Sequence, residues 1–258
     1  MGTALVTGAS AGIGTAFAQQ LAARGQNLVL VARDRQRLDA LAAELTTRHG
    51  VAAEVLAADL TDTAQLAGVE ARVGDPHRPI DLLVNNAGFG TNGKFPDLDL
   101  DTETREINLN VVALVRLTHA ALAPMVARGS GCVLNVSSLA GGQPTPGNAT
   151  YAATKAFVSS FTQSLHEELR GTGVKITVVC PGFTRTEFQA RAGFDSSKVP
   201  GFFWQSAEQV AVGALDAAEH NRAVYVPGAL NRVTAGVVSV LPDALTRRVA
   251  GIVVDYAE

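Results

Sequence analysis

The feature that most constrains this chain is the turn after its first predicted strand. Residues 3–7 form an apolar run of strand length, and Gly8, Gly12 and Gly14 follow before a helical pattern over 15–24. A strand that turns through glycines into a helix directs free backbone N–H groups and the positive end of the helix dipole at one point, which suits a pyrophosphate. The spacing differs from G-x-G-x-x-G, so an ordinary strand-turn-helix without a ligand stays an alternative.

Strands and helices alternate along the chain. The predicted strands are 3–7, 27–32, 51–57, 81–84, 132–136, 174–179 and 223–226, and the predicted helices are 15–24, 34–48, 61–73, 102–127, 151–170 and 207–220. Because each strand is apolar throughout, we expect an α/β fold: a single-domain, doubly wound parallel sheet of about seven strands (a Rossmann fold) with helices on both faces. The ligand crevice is then expected at the carboxyl ends of the strands.

Composition narrows the function classes. The chain has 258 residues, 47% of them hydrophobic, and no stretch that resembles a linker, so we expect one domain over 1–258. A net charge of −3 with scattered basic residues gives no footprint for nucleic acid and favours a small-molecule ligand. The first predicted strand leaves no room for a signal peptide, which favours a cytoplasmic protein.

The cysteines and histidines give no sign of a metal or a disulfide. Cys132 and Cys180 both fall in apolar, strand-like runs and form no C-x-x-C pair, which indicates buried, reduced thiols. The five histidines lack ligand spacing. We therefore expect no metal site.

Polar residues follow the predicted strands. Arg33 comes after the second strand, where an acidic residue would bind the ribose 2′-OH of NAD and a basic residue accommodates the 2′-phosphate of NADP. Arg33 therefore favours NADP, although it could simply be a solvated residue at a helix entry with Asp34 as the N-cap. Asp59, after the third strand, is placed to accept from an adenine amino group or to cap the next helix.

Asparagine residues occur at two further positions of interest, one after a strand and one within a helix. Asn85-Asn86-Ala87-Gly88 follows the fourth strand, where it can fix a turn and bring backbone close to a ribose; by itself it would be only a turn. Asn108 and Asn110 interrupt the apolar stretch of helix 102–127. Because a buried amide needs partners, at least one of these two should be hydrogen-bonded inside the fold.

The strongest indication of chemistry follows the fifth strand. Ser138 is succeeded thirteen residues later by Tyr151 and then by Lys155, and the i, i+4 spacing puts the phenol and the ammonium on one helix face. A partly desolvated cation next to the phenol would lower the pKa of Tyr151 from about 10 towards neutrality. Tyr151 would then act as an acid or base, with Ser138 donating to the substrate oxygen. A chance pair on the surface is the alternative.

In this order, these motifs resemble the short-chain dehydrogenase/reductase family, with the resemblance running from residue 3 to about residue 186 and including the stretch 181–186. The resemblance implies a catalytic tetrad of Tyr151 as acid/base, Lys155 lowering its pKa and binding ribose, Ser138 orienting the carbonyl, and Asn108 holding a water. The cofactor-binding residues that it implies are Gly8, Ser10, Gly12, Ile13, Gly14, Arg33, Asp59, Leu60, Asn86, Ala87, Gly88, Tyr151, Lys155, Pro181, Gly182, Thr184 and Thr186.

The resemblance implies an oxidoreductase that uses NADP(H), with NAD(H) as the alternative, and interconverts a ketone and a secondary alcohol. Members commonly form homodimers or homotetramers through the helices that begin near residues 102 and 151. The segment 148–188 most resembles members acting on long acyl chains, mycolate reductase-like proteins among them. A non-catalytic dinucleotide-sensing regulator and an epimerase or dehydratase are the competing interpretations.

The last third of the chain supplies the expected substrate end. Six aromatic residues lie between Phe183 and Trp204, in a stretch without clear periodicity, which favours a mobile flap over 183–206 that covers an apolar substrate. Packing in the core or at a subunit interface is the alternative. The tail 228–258 has two apolar stretches on either side of Pro242, both shorter than the roughly 20 residues of a membrane span. Subunit packing is expected there, with shallow membrane contact as a second hypothesis.

Overall fold

The computed structural model describes residues 2–195 and 199–240. The strands are β1 Thr3–Thr7, β2 Asn27–Ala32, β3 Ala53–Ala57, β4 Leu82–Asn85, β5 Gly131–Val136, β6 Val174–Val179, β7 Thr184–Arg185, β8 Gln205–Ser206 and β9 Val224–Tyr225. The helices are α1 Gly12–Ala23, α2 Arg35–His49, α3 Thr63–Val73, α4 Leu100–Ile107, α5 Leu114–Arg128, α6 Ala149–Glu168, α7 Phe188–Arg191, α8 Ala207–Glu219 and α9 Ala229–Val240. A π-helix, Asn108–Ala113, joins α4 to α5.

Seven parallel strands form the main sheet in the order β3-β2-β1-β4-β5-β6-β9, and β7 pairs with β8 in a second, two-stranded sheet. From β1 the chain adds β2 and then β3 on one side of the sheet. It then crosses to the other side of β1 to add β4, so the strand order reverses between β1 and β4. In a doubly wound sheet such a reversal opens a crevice at the carboxyl ends of the strands. The expected α/β Rossmann fold is confirmed.

Helices cover both faces of the sheet. On one face, α1, α2 and α8 bury Phe17, Leu38 and Leu215 against β1 and β2. On the other, α3 and α5 bury Leu66 and Met125. Each large side chain of this kind contributes roughly 1.5–3 kcal/mol through burial, so both helix layers are held by apolar contact rather than by ion pairs.

The predicted helix 102–127 is one continuous rod with an irregular centre. Within the described residues the stretch 100–128 is long and apolar enough to pass a composition test for a membrane span. Leu117 and Met125, however, are buried in the core of the sheet layer. The π-helix at the middle of the rod was not predicted, because its extra residue per turn leaves no mark on the apolar pattern.

The remaining differences lie in the last third of the chain. Sequence periodicity did not predict β7, α7 and β8, which are too short to show a period, nor the helix α9 in the apolar tail. The two cysteines are unpaired, as predicted, and Cys180 is buried. Pro242 and the second apolar stretch of the tail lie outside the described residues.

Candidate active site

The glycine turn and the loop after β4 are tied together by one threonine. The Thr7 hydroxyl accepts hydrogen bonds from the backbone N–H groups of Asn86 (2.9 Å) and Ala87 (3.0 Å), and the Asn86 amide donates to the Thr7 carbonyl at 2.9 Å. A Cβ at Gly14 would lie 2.1 Å from the Gly8 carbonyl oxygen, so only glycine lets α1 approach this closely. The predicted motifs 8–14 and 85–88 therefore meet at the crevice.

The N-terminus of α1 is open to a ligand. Ala11 provides no side-chain cap, and the first turn of α1 holds no acidic residue. The first backbone N–H groups and the positive end of the helix dipole thus face the cavity lined by Ser10, Gly12 and Ile13. Thr186 lies against this turn, since a Cβ at Gly12 would be 3.0 Å from its Cγ2. This arrangement fits a pyrophosphate.

Two arginines line the cavity beyond α1. Arg33 is exposed, and Arg37 lies one turn further along and makes an ion pair with Glu187 at 3.2 Å. Asp34 caps α2, as predicted, because its carboxylate accepts from the Arg37 N–H at 3.0 Å. Capping by Asp34 and the exposure of Arg33 agree with a solvated helix entry, whereas the position of Arg33 on the cavity wall agrees with a basic residue beside the cofactor.

Asp59 and Leu60 line the same end of the cavity. Partial burial opposes ionisation of Asp59, but hydrogen bonds from the Thr61 N–H (2.9 Å) and hydroxyl (2.7 Å) hold the pKa of its carboxyl below the usual value. Asp62, not Asp59, caps α3, since its side chain accepts from the Gln65 N–H. Asp59 is therefore a fixed carboxylate that faces the cavity.

Asn110, and not Asn108, is the amide that reaches the site. Its side chain is buried, donates to the Phe89 carbonyl (2.8 Å) and Thr154 hydroxyl (3.1 Å), and accepts from the Phe89 N–H (3.1 Å). A Cβ at Gly88 would lie 2.9 Å from Asn110 Oδ1 and 3.4 Å from Lys155 Nζ, so these groups share one space.

Asn108, assigned to the tetrad from the resemblance, is half-buried and opens the π-helix two positions before Asn110, and neither amide is among the described residues that line the cavity. The structure brings Asn110, not Asn108, next to Lys155, so a catalytic role for Asn108 stays a prediction. The wide π turn changes which residue faces inwards, and the sequence pattern carries no sign of it. That at least one of the two amides is hydrogen-bonded inside the fold is confirmed.

Ser138, Tyr151 and Lys155 meet at the centre of the cavity. All three line the cavity, the Ser138 side chain lies close enough to the Tyr151 hydroxyl to oppose the rise of its pKa, and Lys155 Nζ lies 5.7 Å from the centroid of the tyrosine ring. Lys155 is buried, and its ammonium donates to the Val136 carbonyl at 2.9 Å. The three side chains predicted to carry chemistry are therefore brought together, from the end of β5 and the first two turns of α6.

The ionisation of this cluster differs from the expectation. Burial raises the pKa of Tyr151 to about 12, against a smaller lowering by the hydrogen bond with Ser138. Burial likewise lowers the pKa of Lys155 to about 8. Burial and the negative charge of Glu106 raise the pKa of Tyr151 in this cavity, so the lowering expected from Lys155 stays a prediction. Tyr151 is a neutral phenol at pH 7.

The stretch after β6 closes the cavity. Pro181, Gly182, Thr184 and Thr186 all line it, and the buried Thr184 hydroxyl donates to the Gly182 carbonyl at 3.0 Å. This bond holds the chain in a tight turn between β6 and β7. The residues expected there from the resemblance are thus in the cavity.

The substrate end is walled by aromatic rings. Phe183, Phe188, Phe194 and Phe203 line the cavity, and the Phe188 ring lies 5.5 Å from that of Tyr151. Phe202 points away and is 72% exposed. The cavity has a volume of about 2060 Å³, against roughly 300–1,000 Å³ for a site that holds one small ligand. It has room for a cofactor and a substrate side by side.

Comparison with known proteins decides the family. Residues 2–196 match the family model described as short chain dehydrogenase. This chain belongs to the short-chain dehydrogenase/reductase family. A short-chain dehydrogenase from Sphingobium yanoikuyae in complex with NADPH has 40% sequence identity and a TM-score of 0.84, covering 94% of this chain and 96% of that one.

Two relatives show how far substrates diverge within this family. A very-long-chain 3-oxoacyl-CoA reductase of Anas platyrhynchos is 36% identical over 74% of this chain and 63% of its own length. Sulfoacetaldehyde reductase 2 of Chromohalobacter salexigens is 39% identical over 75% of this chain and 77% of its own. Similar identity thus accompanies a long acyl and a small charged substrate, so family membership alone does not choose the substrate.

The sequence analysis missed several residues at the site. Arg37 and Glu187 form an ion pair at the cavity wall, and Asn231, Thr234 and Ala235 of α9 line the cavity from the tail. Arg37 was detectable as a second arginine one turn after Arg33. The contribution of α9 was not, because no local pattern indicates that a tail folds back over a crevice.

Proposed function

We propose that this protein is an NADP(H)-dependent carbonyl reductase that interconverts a ketone and a secondary alcohol, with an apolar substrate. The observation that carries the proposal is the grouping of Ser138 and Tyr151 beside Lys155, in the same cavity as the open N-terminus of α1. An anion-binding turn and a proton donor that share one cavity suit hydride transfer accompanied by proton transfer.

The cavity residues fit a nicotinamide dinucleotide. The glycine turn leaves space where side chains would otherwise stand, the first turn of α1 offers N–H donors, and Arg33 and Arg37 supply positive charge beyond it. In its reduced form this cofactor supplies a hydride to the carbonyl carbon. The single domain over 1–258 remains part of the proposal.

Proton transfer is then the work of the protein. The Ser138 hydroxyl donates to the substrate carbonyl oxygen and holds it against the Tyr151 phenol. Tyr151, neutral at pH 7, gives its proton to that oxygen as negative charge develops on it. The Lys155 ammonium lies close enough to stabilise the phenolate left behind. Asn110 fixes the backbone of Phe89 and so holds the loop that packs against this group.

The preference for NADP(H) over NAD(H) rests on charge. Arg33 occupies the position that favours a 2′-phosphate, and Arg37 lines the cavity next to it. The relative from Sphingobium yanoikuyae was solved with NADPH, which supports the same preference here. Asp59, held ionised by Thr61, is available to accept from the adenine amino group.

The apolar substrate is proposed from the four phenylalanines that line the cavity beyond Tyr151. Covering these rings favours a bulky or long-chain ketone over a small one, by roughly 1.5–3 kcal/mol for each ring fully covered. We further propose that 183–206 acts as a flap over this substrate. Limited proteolysis tests this: the segment should be cut readily in the free protein and slowly with NADPH bound.

Oligomerisation is proposed through the α4–α6 region. Ile107, Val112 and Phe157 are each more than 40% exposed, although all three are large and apolar. Burial of this face between copies would remove apolar surface from water, as expected of a homodimer or homotetramer. Light scattering after size exclusion gives the mass. We also propose a cytoplasmic location, which fractionation of the source cells tests.

The decisive experiment follows NADPH oxidation against a graded panel of carbonyl compounds, from small ketones through steroids to long β-keto acyl esters. We expect turnover that rises with apolar size and is lost in Tyr151→Phe. Cofactor binding without turnover of any compound would favour the dinucleotide-sensing regulator instead.

A further inference from the structure

Two carboxyl groups are buried next to the catalytic cluster. Glu103 and Glu106 lie one turn apart on α4, and their exposed fractions are 3% and 0%. Within the described residues, both carboxylate oxygens of Glu103 and Oε1 of Glu106 have no hydrogen-bond partner. Buried carboxyls are costly to ionise without partners, so this pair has an environment unlike that of any surface glutamate.

Glu106 is connected to Tyr151 by a short stretch of loop. The Thr91 hydroxyl donates to Glu106 Oε2 at 3.2 Å. Thr91 follows Gly90, where a Cβ would lie only 2.9 Å from Cδ2 of Tyr151. The loop that holds the Glu106 carboxyl is therefore in contact with the tyrosine ring, and α4 itself packs on α6, which carries Tyr151 and Lys155.

The charges around Glu106 are few. Burial, followed by the negative charge of Glu103, raises the pKa of Glu106 to about 7, while Lys155 opposes this. In return, the Glu106 charge raises the pKa of both Tyr151 and Lys155. The π-helix contributes no titratable side chain, and the loop contributes Lys94, which is exposed. The charge of Glu103 acts on Glu106, and the charge that acts on both Tyr151 and Lys155 is that of Glu106.

We propose that Glu106 is a positioning residue whose buried carboxyl sets the charge state of the Lys155–Tyr151 pair. The inference rests on the proposed reductase function. When Glu106 loses its proton to solvent, its negative charge helps to keep the protons on Lys155 and Tyr151, which is the protonated form that can donate to a carbonyl oxygen. The pair then stays competent for reduction at a higher pH than it would without Glu106.

The test compares Glu106→Gln with Glu103→Gln, a matched change one turn away, through the pH profile of kcat at saturating NADPH and ketone. In Glu106→Gln the basic limb, on which Lys155 loses its proton, should move to lower pH by about one unit or more, because a unit charge roughly 12 Å away at an effective dielectric of about 20 already shifts a pKa by about one unit. Glu103→Gln should leave that limb in place. Equal shifts in both variants, or none in Glu106→Gln, would overturn the proposal.

A second, conservative variant tests the proposal in case Glu106→Gln does not fold. Thr91→Val removes the hydroxyl that favours ionised Glu106 but keeps the shape, so less Glu106 is ionised where Lys155 titrates, and the basic limb should move to lower pH by less than in Glu106→Gln. If Glu106→Gln does not fold, this shift becomes the deciding measurement. A basic limb that coincides with that of the parent protein would contradict the proposal.

A measurement without turnover separates this inference from the proposed function. The absorbance of the Tyr151 phenolate, obtained as the difference between the protein and its Tyr151→Phe variant, should rise at lower pH in the Glu106→Gln background. That shift, together with no reduction of any ketone, would uphold the charge coupling and reject the reductase. Turnover accompanied by an unmoved phenolate titration would do the reverse.

Discussion

The two ends of the cavity are built by different forces. At the cofactor end, Thr7 and Asn86 bind one another and the backbone through hydrogen bonds of 2.9–3.0 Å. At the substrate end, aromatic rings pack against one another. The centroid of the Phe183 ring lies 5.9 Å from that of Phe194 and 5.5 Å from that of Trp204. Hydrogen bonds demand particular atoms at particular places, whereas ring packing accepts substitutes of similar volume. Cofactor recognition is thus rigidly specified, and substrate choice can change around it.

The largest effect is expected when the hydroxyl group that lies between the cofactor end and the substrate end is removed. Tyr151→Phe deletes the phenol hydroxyl but keeps the ring that faces Phe188. We expect kcat to fall by about 10³-fold, within the range of a lost general acid, while the Kd for NADPH changes little. Stopped-flow kinetics and fluorescence titration measure the two quantities. Retention of more than a tenth of the activity would remove Tyr151 from the chemistry.

A second test uses the two amides of the central rod. Asn110→Ala deletes three hydrogen bonds to Phe89 and Thr154 and should lower kcat by about 10²-fold, the effect of a small displacement of the catalytic groups. The same change at Asn108 should stay within a few-fold of the parent. Steady-state kinetics of both variants at equal cofactor saturation decide between them. A larger loss at Asn108 would instead support its assignment to the tetrad.

These amides also show what a sequence can and cannot predict. Three features follow from periodicity and spacing, because each depends on local pattern and on where strands end. They are the alternation of strands and helices in a parallel sheet, the meeting of 8–14 with 85–88, and the grouping of Ser138, Tyr151 and Lys155. The π-helix, the burial that raises the pKa of Tyr151, and the fold-back of α9 depend on packing between distant segments. No local pattern encodes those three.

The preference for NADPH over NADH tests the charged residues at the cofactor end of the cavity. Arg33→Asp replaces a cation beside the proposed 2′-phosphate with an anion. We expect the ratio of kcat/KM for NADPH to that for NADH to fall by about 10–100-fold, the scale of one or two charge-assisted hydrogen bonds. Arg35→Asp is the matched control, because Arg35 is not among the described residues that line the cavity. An unchanged ratio in Arg33→Asp would count against the preference.

The smallest effect is expected at the aromatic wall. Phe188→Ala should raise KM for a bulky apolar ketone by about tenfold or less, since part of one ring's burial is lost. The KM for a small ketone that does not reach Phe188 should stay the same. Phe202→Ala, at an exposed ring that does not line the cavity, is the control. A uniform rise for all ketones would mean that the ring supports the fold and not the substrate.

The π-helix at Asn108–Ala113 makes this protein sensitive to chain length in one short stretch. A π turn accommodates one residue more than an α turn, so deletion of a single residue there would let the rod become regular throughout. Relative to α5, the preceding helix α4 would then rotate by roughly 100° about the helix axis and shift by about 1.5 Å along it. Glu103 and Glu106 would swing out towards water. Most single substitutions along this rod should therefore disturb the site less than the deletion of one residue from it.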